Sequence, residues 1–169
     1  GDLTFSKVMN DWKMNHTSWS NGAAYADLDN DGDLDLVVNN LDGEAFIYEN
    51  MSKGMNYLRL EFRGPGKNTM GLGTKVRIYH GEGFQYQQHY TSRGYRSSVE
   101  PVMHFGLGSD TLINKVEVTW PDGKFTVMRN VSVNQKILLE YALASNDPIE
   151  IVTQETNLRC FEDASSILG

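Results

Sequence analysis

The sequence predicts an all-β chain, in which a short acidic-loop, blade-like hairpin unit is packed next to an antiparallel β-sandwich or barrel. Three observations carry this expectation. From residue 56 onward the chain is a succession of short segments with alternating apolar and polar residues, the mark of antiparallel strands with one wet face. Glycine-bearing turns separate them, at Gly64-Pro65-Gly66, Gly71-Leu72-Gly73, Gly81-Glu82-Gly83, Gly106-Leu107-Gly108 and Pro121-Asp122-Gly123. Ahead of them, Asp27-Leu28-Asp29-Asn30-Asp31-Gly32-Asp33-Leu34-Asp35 sets carboxylates at every second position between short apolar runs that suit strands better than long helices.

Taken in order, Phe5, Val8, Met9 and Trp12 fall at helical spacing and predict one or two amphipathic turns packed on a core. Residues 23–26 then lead into the acidic stretch. Carboxylates at its first, third, fifth and ninth places, with Gly32 at the sixth, suit a hard cation that takes six to eight oxygens from a tightly turned backbone. Without a cation, like charges a few Å apart would cost on the order of a kcal/mol each even when partly screened. A helix-loop-helix calcium hand needs a Glu at the twelfth place, where this chain has Val38. Asp33 stands at the seventh place, where such loops offer a backbone carbonyl, so its own side chain is expected to lie outside the ligand set. Strands over 36–41 and 44–49 flank Asp42-Gly43, a type I′ hairpin signal that needs positive φ at both residues, and 51–56 reads as a linker.

Beyond the linker, strands are predicted over 57–62, 75–80, 84–91, 102–105, 115–120, 125–131, 136–141 and 149–153. Their alternation points Leu58, Leu60, Val76, Ile78, Phe105, Val116, Val118, Ile137 and Leu139 inward. Near the end, Phe161, Ala164, Ile167 and Leu168 echo the spacing of the opening segment. With the family resemblances given below, the expected organisation is a calcium-loop repeat over 1–55, a β domain over 56–141, and, over 142–169, an extra strand with the start of a following repeat unit.

Charge is unevenly distributed. Residues 1–50 hold ten acids and two bases, while residues 51–169 hold twelve acids and thirteen bases, within a net charge of −7. No Lys/Arg run is dense enough to predict nucleic-acid binding. No apolar run approaches the roughly 20 residues that span a bilayer, so no transmembrane segment is expected. Cys160 is the single cysteine and allows no intrachain disulfide; bound calcium could stabilise the fold instead by mass action. Neither Gly-x-Gly pair completes a dinucleotide fingerprint. His16, His80, His89 and His104 are scattered, and no Ser sits in a Gly-x-Ser-x-Gly elbow. The expectation is a chain without catalysis.

The stretch from Asn21 to Val38 resembles an FG-GAP or VCBS-type repeat, a propeller-blade unit whose calcium loop links two strands. The resemblance implies Ca²⁺ held by the side chains of Asp27, Asp29, Asp31 and Asp35 and by the Asp33 carbonyl. The second part is similar to the ASPIC/UnbV domain. Gly71-Leu72-Gly73-Thr74-Lys75-Val76, Ser92-Arg93-Gly94-Tyr95-Arg96-Ser97, His104-Phe105-Gly106-Leu107-Gly108 and Val116-Glu117-Val118-Thr119-Trp120-Pro121-Asp122-Gly123 carry it, with Asn130-Val131 through Asn134-Gln135. The tandem order is that of cartilage acidic protein-like chains and of bacterial surface or secreted proteins.

The resemblance implies a secreted or cell-surface adhesion or interaction module, extracellular or periplasmic, with a protein or glycan as partner. Arg93, Tyr95 and Arg96, two cations and an aromatic at a glycine-permitted turn, are the candidate ligand-binding residues. A carbohydrate-binding module is the alternative, because Tyr86, Tyr90 and Tyr95 stand among the polar residues Gln85, Gln87, Gln88, Arg93 and Arg96, and aromatic faces with planar polar partners suit sugars.

Overall fold

The computed structural model describes residues 3–146 and 150–152. Eleven strands run through them: β1 (Trp19–Ala26), β2 (Asp35–Leu41), β3 (Phe46–Tyr48), β4 (Asn56–Arg63), β5 (Lys75–His80), β6 (Gly83–Gln88), β7 (Val102–Gly108), β8 (Leu112–Thr119), β9 (Phe125–Ser132), β10 (Gln135–Glu140) and β11 (Glu150–Val152). The fold is all-β, as the alternation requires. A single 3₁₀ turn, Tyr141–Leu143, follows β10. The chain forms two compact units. One comprises the residues up to Ser52 together with Thr91–Glu100; the other comprises Lys53–Tyr90 and the residues from Pro101 onward.

The second unit is a sandwich of two sheets, ordered β10-β4-β7 and β11-β9-β8-β5-β6. Alternate residues of both sheets meet in one apolar core that includes Leu58, Leu60, Val76, Ile78, Phe105, Val116, Val118, Trp120 and Leu139. Of the residues predicted inward, Ile137 is only partly buried and packs against this core. The sheets are not purely antiparallel: β10 pairs with β4, and β11 with β9, in parallel. β10 reaches β4 only after the chain has traversed both sheets, so hairpin geometry does not fix its direction.

The second unit also closes one side with side chains. On β7, Phe105 faces Leu58 of β4 in register and is buried, while the carbonyls of its neighbours His104 and Gly106 accept from side chains of the other sheet. Gln87 Nε2 donates to the His104 carbonyl at 2.8 Å, and Gln85 Nε2 to the Gly106 carbonyl at 2.7 Å. Two glutamines on β6 thus satisfy carbonyls of a strand in the other sheet, and an edge that could template another strand is covered.

The first unit is one antiparallel sheet, β1-β2-β3. The β2–β3 connection departs from the expected two-residue turn. Asp42 has φ 54°, but Gly43 is not in the left-handed region. Instead Asn40 Nδ2 donates to the Glu44 carbonyl at 2.7 Å and closes a longer loop. The opening segment also differs from expectation. One turn forms, with Trp12 N donating to the Val8 carbonyl at 3.0 Å and Met14 N to the Met9 carbonyl at 2.9 Å, yet Phe5 and Trp12 are exposed rather than in a core. The expected echo over 161–168 lies outside the described residues.

Candidate metal centre

Among the described residues of the first unit no apolar side chain is buried; the buried side chains are Asp27, Asp35 and Asn40. Burying a carboxylate is unfavourable unless it is hydrogen-bonded, protonated or paired with a cation. The interior of this unit is therefore built for charge. Asp27 ends the β1 side of the loop, and Asp35 begins β2, opposite Ala26 in register. Between them the backbone folds sharply, with Asn30 at φ 62° and Gly32 at φ 97°. Asn tolerates the left-handed region better than most residues and glycine enters it freely.

That turn stacks the carboxylates. Asp27, Asp29 and Asp31 each offer an oxygen within 4.8 Å of the others. Asp31 N donates to Asp29 Oδ1 at 3.2 Å and Asp33 N to Asp31 Oδ1 at 3.0 Å, so Asp29 and Asp31 are each fixed by the amide two residues on. Asp35 has a different place. Its Oδ2 accepts from Leu28 N at 2.9 Å and its Oδ1 from Asn50 N at 2.8 Å, tying the loop to the end of the hairpin. Each carboxylate oxygen keeps a further lone pair for a cation.

The Asp33 side chain makes no such bonds. Both of its carboxylate oxygens are shielded from solvent and have no hydrogen-bond partner. Burial, then the charges of Asp31, Asp35, Asp29 and Asp27, push its carboxyl up from 3.8 to about 6. A desolvated acid among four others needs a proton or a cation. An all-oxygen donor set on a tight loop fits Ca²⁺ or another hard cation. Asp27, Asp29 and Asp31 would hold it first, with Asp35 and the Asp33 carbonyl at the loop's far side. Asn50, whose backbone N–H and side-chain amide donate to Asp35 Oδ1 and to the Leu34 carbonyl, escaped the sequence reading because it stands 15 residues beyond Asp35 in the chain.

The segment carrying Arg93, Tyr95 and Arg96 belongs to the same unit as the acidic loop. It is a small hairpin-like excursion, with a Ser92–Ser98 bridge and Val99 N donating to the Thr91 carbonyl at 2.8 Å. Gly94 at φ 72° and Arg96 at φ 48° turn its tip. It lies against β1, where a β-carbon on Gly22 would come within 3.3 Å of Ser97 Oγ. Tyr95 is exposed, and the Arg96 guanidinium sits 5.4 Å from its ring centre. The structure thus sets the three candidate residues on one tip.

The second unit carries glycines and polar residues whose positions the sandwich dictates. Gly71, at φ 63°, has a vacancy for a β-carbon only 2.8 Å from Phe62 Cβ and 3.3 Å from the Trp120 ring. Asn134, at φ 58°, sends its N–H to the Tyr57 carbonyl at 2.7 Å and accepts from Tyr57 N at 3.1 Å. Residues 64–146 match the family described as ASPIC and UnbV. Cartilage acidic protein 1 of Xenopus tropicalis is 33% identical over 146 residues, 82% of this chain and 22% of that protein. The protein of the same name from Homo sapiens is 37% identical over 118 residues, covering 66% and 17%. That of Mus musculus is 34% identical over 126 residues, covering 70% and 19%. The chain therefore spans about a fifth of the length of these curated relatives.

Within the segment that matches this family, the residues of the motifs serve the fold. Thr74 is fully buried and its carbonyl accepts from His89 N at 2.8 Å, while Gly73 N donates to the His89 carbonyl at 2.8 Å. The His89 ring lies 4.9 Å from Phe62, and Trp120 meets Phe62 edge-on at 5.8 Å. Trp120 Nε1 donates to Thr126 Oγ1 at 3.1 Å, satisfying a buried indole. His104 stacks on Tyr57 at 5.8 Å. The glutamines that suggested a sugar cradle are likewise engaged, Gln85 and Gln87 on β7 carbonyls and Gln88 on the Gly73 carbonyl at 3.3 Å. No helix among the described residues is long and apolar enough to cross a membrane.

Proposed function

We propose that the chain is a non-catalytic, calcium-binding interaction module of a secreted or cell-surface protein. The carrying observation is the inverted interior of the first unit, where, among the described residues, the buried side chains are two carboxylates and an amide and no buried apolar side chain compensates them. A cation held by Asp27, Asp29, Asp31 and Asp35 and by the Asp33 carbonyl supplies the stabilisation that an apolar core would otherwise give. Extracellular modules bind calcium with dissociation constants of about 10⁻⁴–10⁻³ M, which suits calcium-rich fluid outside cells. The likeness to cartilage acidic protein 1 supports the same class of role.

The histidines support a non-catalytic reading. His80 Nδ1 lies 2.6 Å from Asp110 Oδ2, the orientation of a catalytic dyad. Its Nε2, however, faces Gln85 Nε2 at 2.8 Å, and that amide is held as a donor by the Gly106 carbonyl. The free end of the imidazole is thereby occupied. Calorimetric melting in calcium, magnesium and chelator tests the proposal: calcium should raise the first unit's midpoint and magnesium should do so weakly. An unchanged midpoint at saturating calcium removes the metal from the function.

A further inference from the structure

We propose that the outer face of the five-stranded sheet, around Lys75, Arg77, Lys115 and the rings of Phe84 and Tyr86, binds a sulfated polysaccharide. This rests on the reading of the chain as an extracellular binding module and names a partner class and a face for it. Because Val76, Ile78, Val116 and Met128 fill the core, their strand neighbours point outward. In register, Tyr79 stands between Phe84 and Lys115, Lys115 lies beside Arg129, and Arg77 lies between Tyr86 and Glu117. Four cations from three strands thus share a face on which Glu117 is the one acid contributed by β5, β6, β8 and β9, on a chain of net charge −7.

That acid is already engaged. Lys115 Nζ lies 2.5 Å from Glu117 Oε1, and the Tyr79 hydroxyl donates to Oε2 at 2.9 Å. The cations are propped on rings, Arg77 5.2 Å above Phe84 and Lys115 5.0 Å above Tyr79, so little side-chain freedom remains to be lost on binding. Strands about 4.8 Å apart and alternate residues about 7 Å apart space these charges in two directions. Such spacing suits a polymer bearing an anion on successive sugars better than a single phosphate. Phe84 and Tyr86 are 60% and 50% exposed on the edge strand and offer faces for sugar rings beside the charges.

The test is titration of the full chain with heparin, dextran and poly-glutamate in 0.1 M NaCl, with and without chelator. Heparin should bind and dextran should not. Lys75→Ala, Arg77→Ala and Lys115→Ala together should weaken heparin binding about tenfold or more, and Glu117→Gln should strengthen it about twofold. Removing the same charge elsewhere, by Arg63→Ala, Lys67→Ala and Lys136→Ala, should change it less than about twofold. Equal losses from both triple variants, with melting midpoints unchanged, would overturn the site in favour of diffuse attraction. Poly-glutamate matching heparin would overturn the polysaccharide in favour of an acidic protein surface. Heparin binding that survives chelator while the calcium melting response is absent would sink the metal reading alone; a calcium response without heparin binding would sink this one alone.

Discussion

Asp33 is the clearest case of a side chain whose position works against it. Its oxygens are shielded and unpartnered, and its carboxyl is pushed up to about 6. Asp33→Asn removes that charge but keeps the backbone carbonyl. The metal-free variant should therefore melt higher than the parent, while its calcium affinity falls severalfold; a lower metal-free midpoint would show that the carboxylate has a partner in solution. The pH response follows in sign. A carboxyl raised in the folded state binds its proton more tightly folded than unfolded, so it favours the metal-free fold at low pH and that contribution is lost as pH rises through about 6. Calcium must displace the same proton, so affinity should drop between pH 7.5 and 5.5, as calcium titrations at the two values will show. Asp35 behaves differently, since both oxygens accept backbone N–H groups. In Asp35→Asn one of those N–H groups would face an amide N–H₂, which should cost about 1–3 kcal/mol by denaturant unfolding.

The strands were legible because period two is a local property: 75–80 was read as it stands, and eight of the nine residues predicted inward are buried. What needed distant partners was not legible. Asp42-Gly43 looks like a tight hairpin until Asn40 reaches the Glu44 carbonyl and lengthens the loop. Helical spacing in the opening segment produced one turn, because spacing names a face without supplying anything to cover it. Lys75, Arg77, Lys115 and Arg129 are dispersed in sequence and share a face only through strand register. The acidic loop was legible since all five acids lie within nine residues, whereas the burial of Asp33 was not. Strand closure can be tested directly. Gln87→Ala should leave the His104 carbonyl without its side-chain donor and cost about 0.5–1.5 kcal/mol. Trp120→Ala, which removes a fully buried ring and its bond to Thr126, should cost about 3–5 kcal/mol.

The molecule combines two ways of holding a fold together. The second unit has a continuous apolar core; the first has carboxylates where such a core would lie. Chelation should therefore lower one calorimetric transition and leave the other in place. Fluorescence can separate them, because Trp12 and Trp19 are exposed in the first unit and Trp120 is buried in the second. An early chelator-sensitive change from the exposed indoles, followed by a calcium-indifferent change from Trp120, is the expected sequence. A single transition moving as a whole with calcium would contradict it. The excursion Thr91–Glu100 has a consequence for inheritance. Its ends continue into strands of the sandwich, yet it belongs to the acidic hairpin unit. A gene exchange with one junction near codon 52 would separate the hairpin from ten of its own residues and hand them to the recipient's neighbour. Only a transfer that carries both stretches together moves a complete module, so the pair is expected to travel through evolution as one cassette.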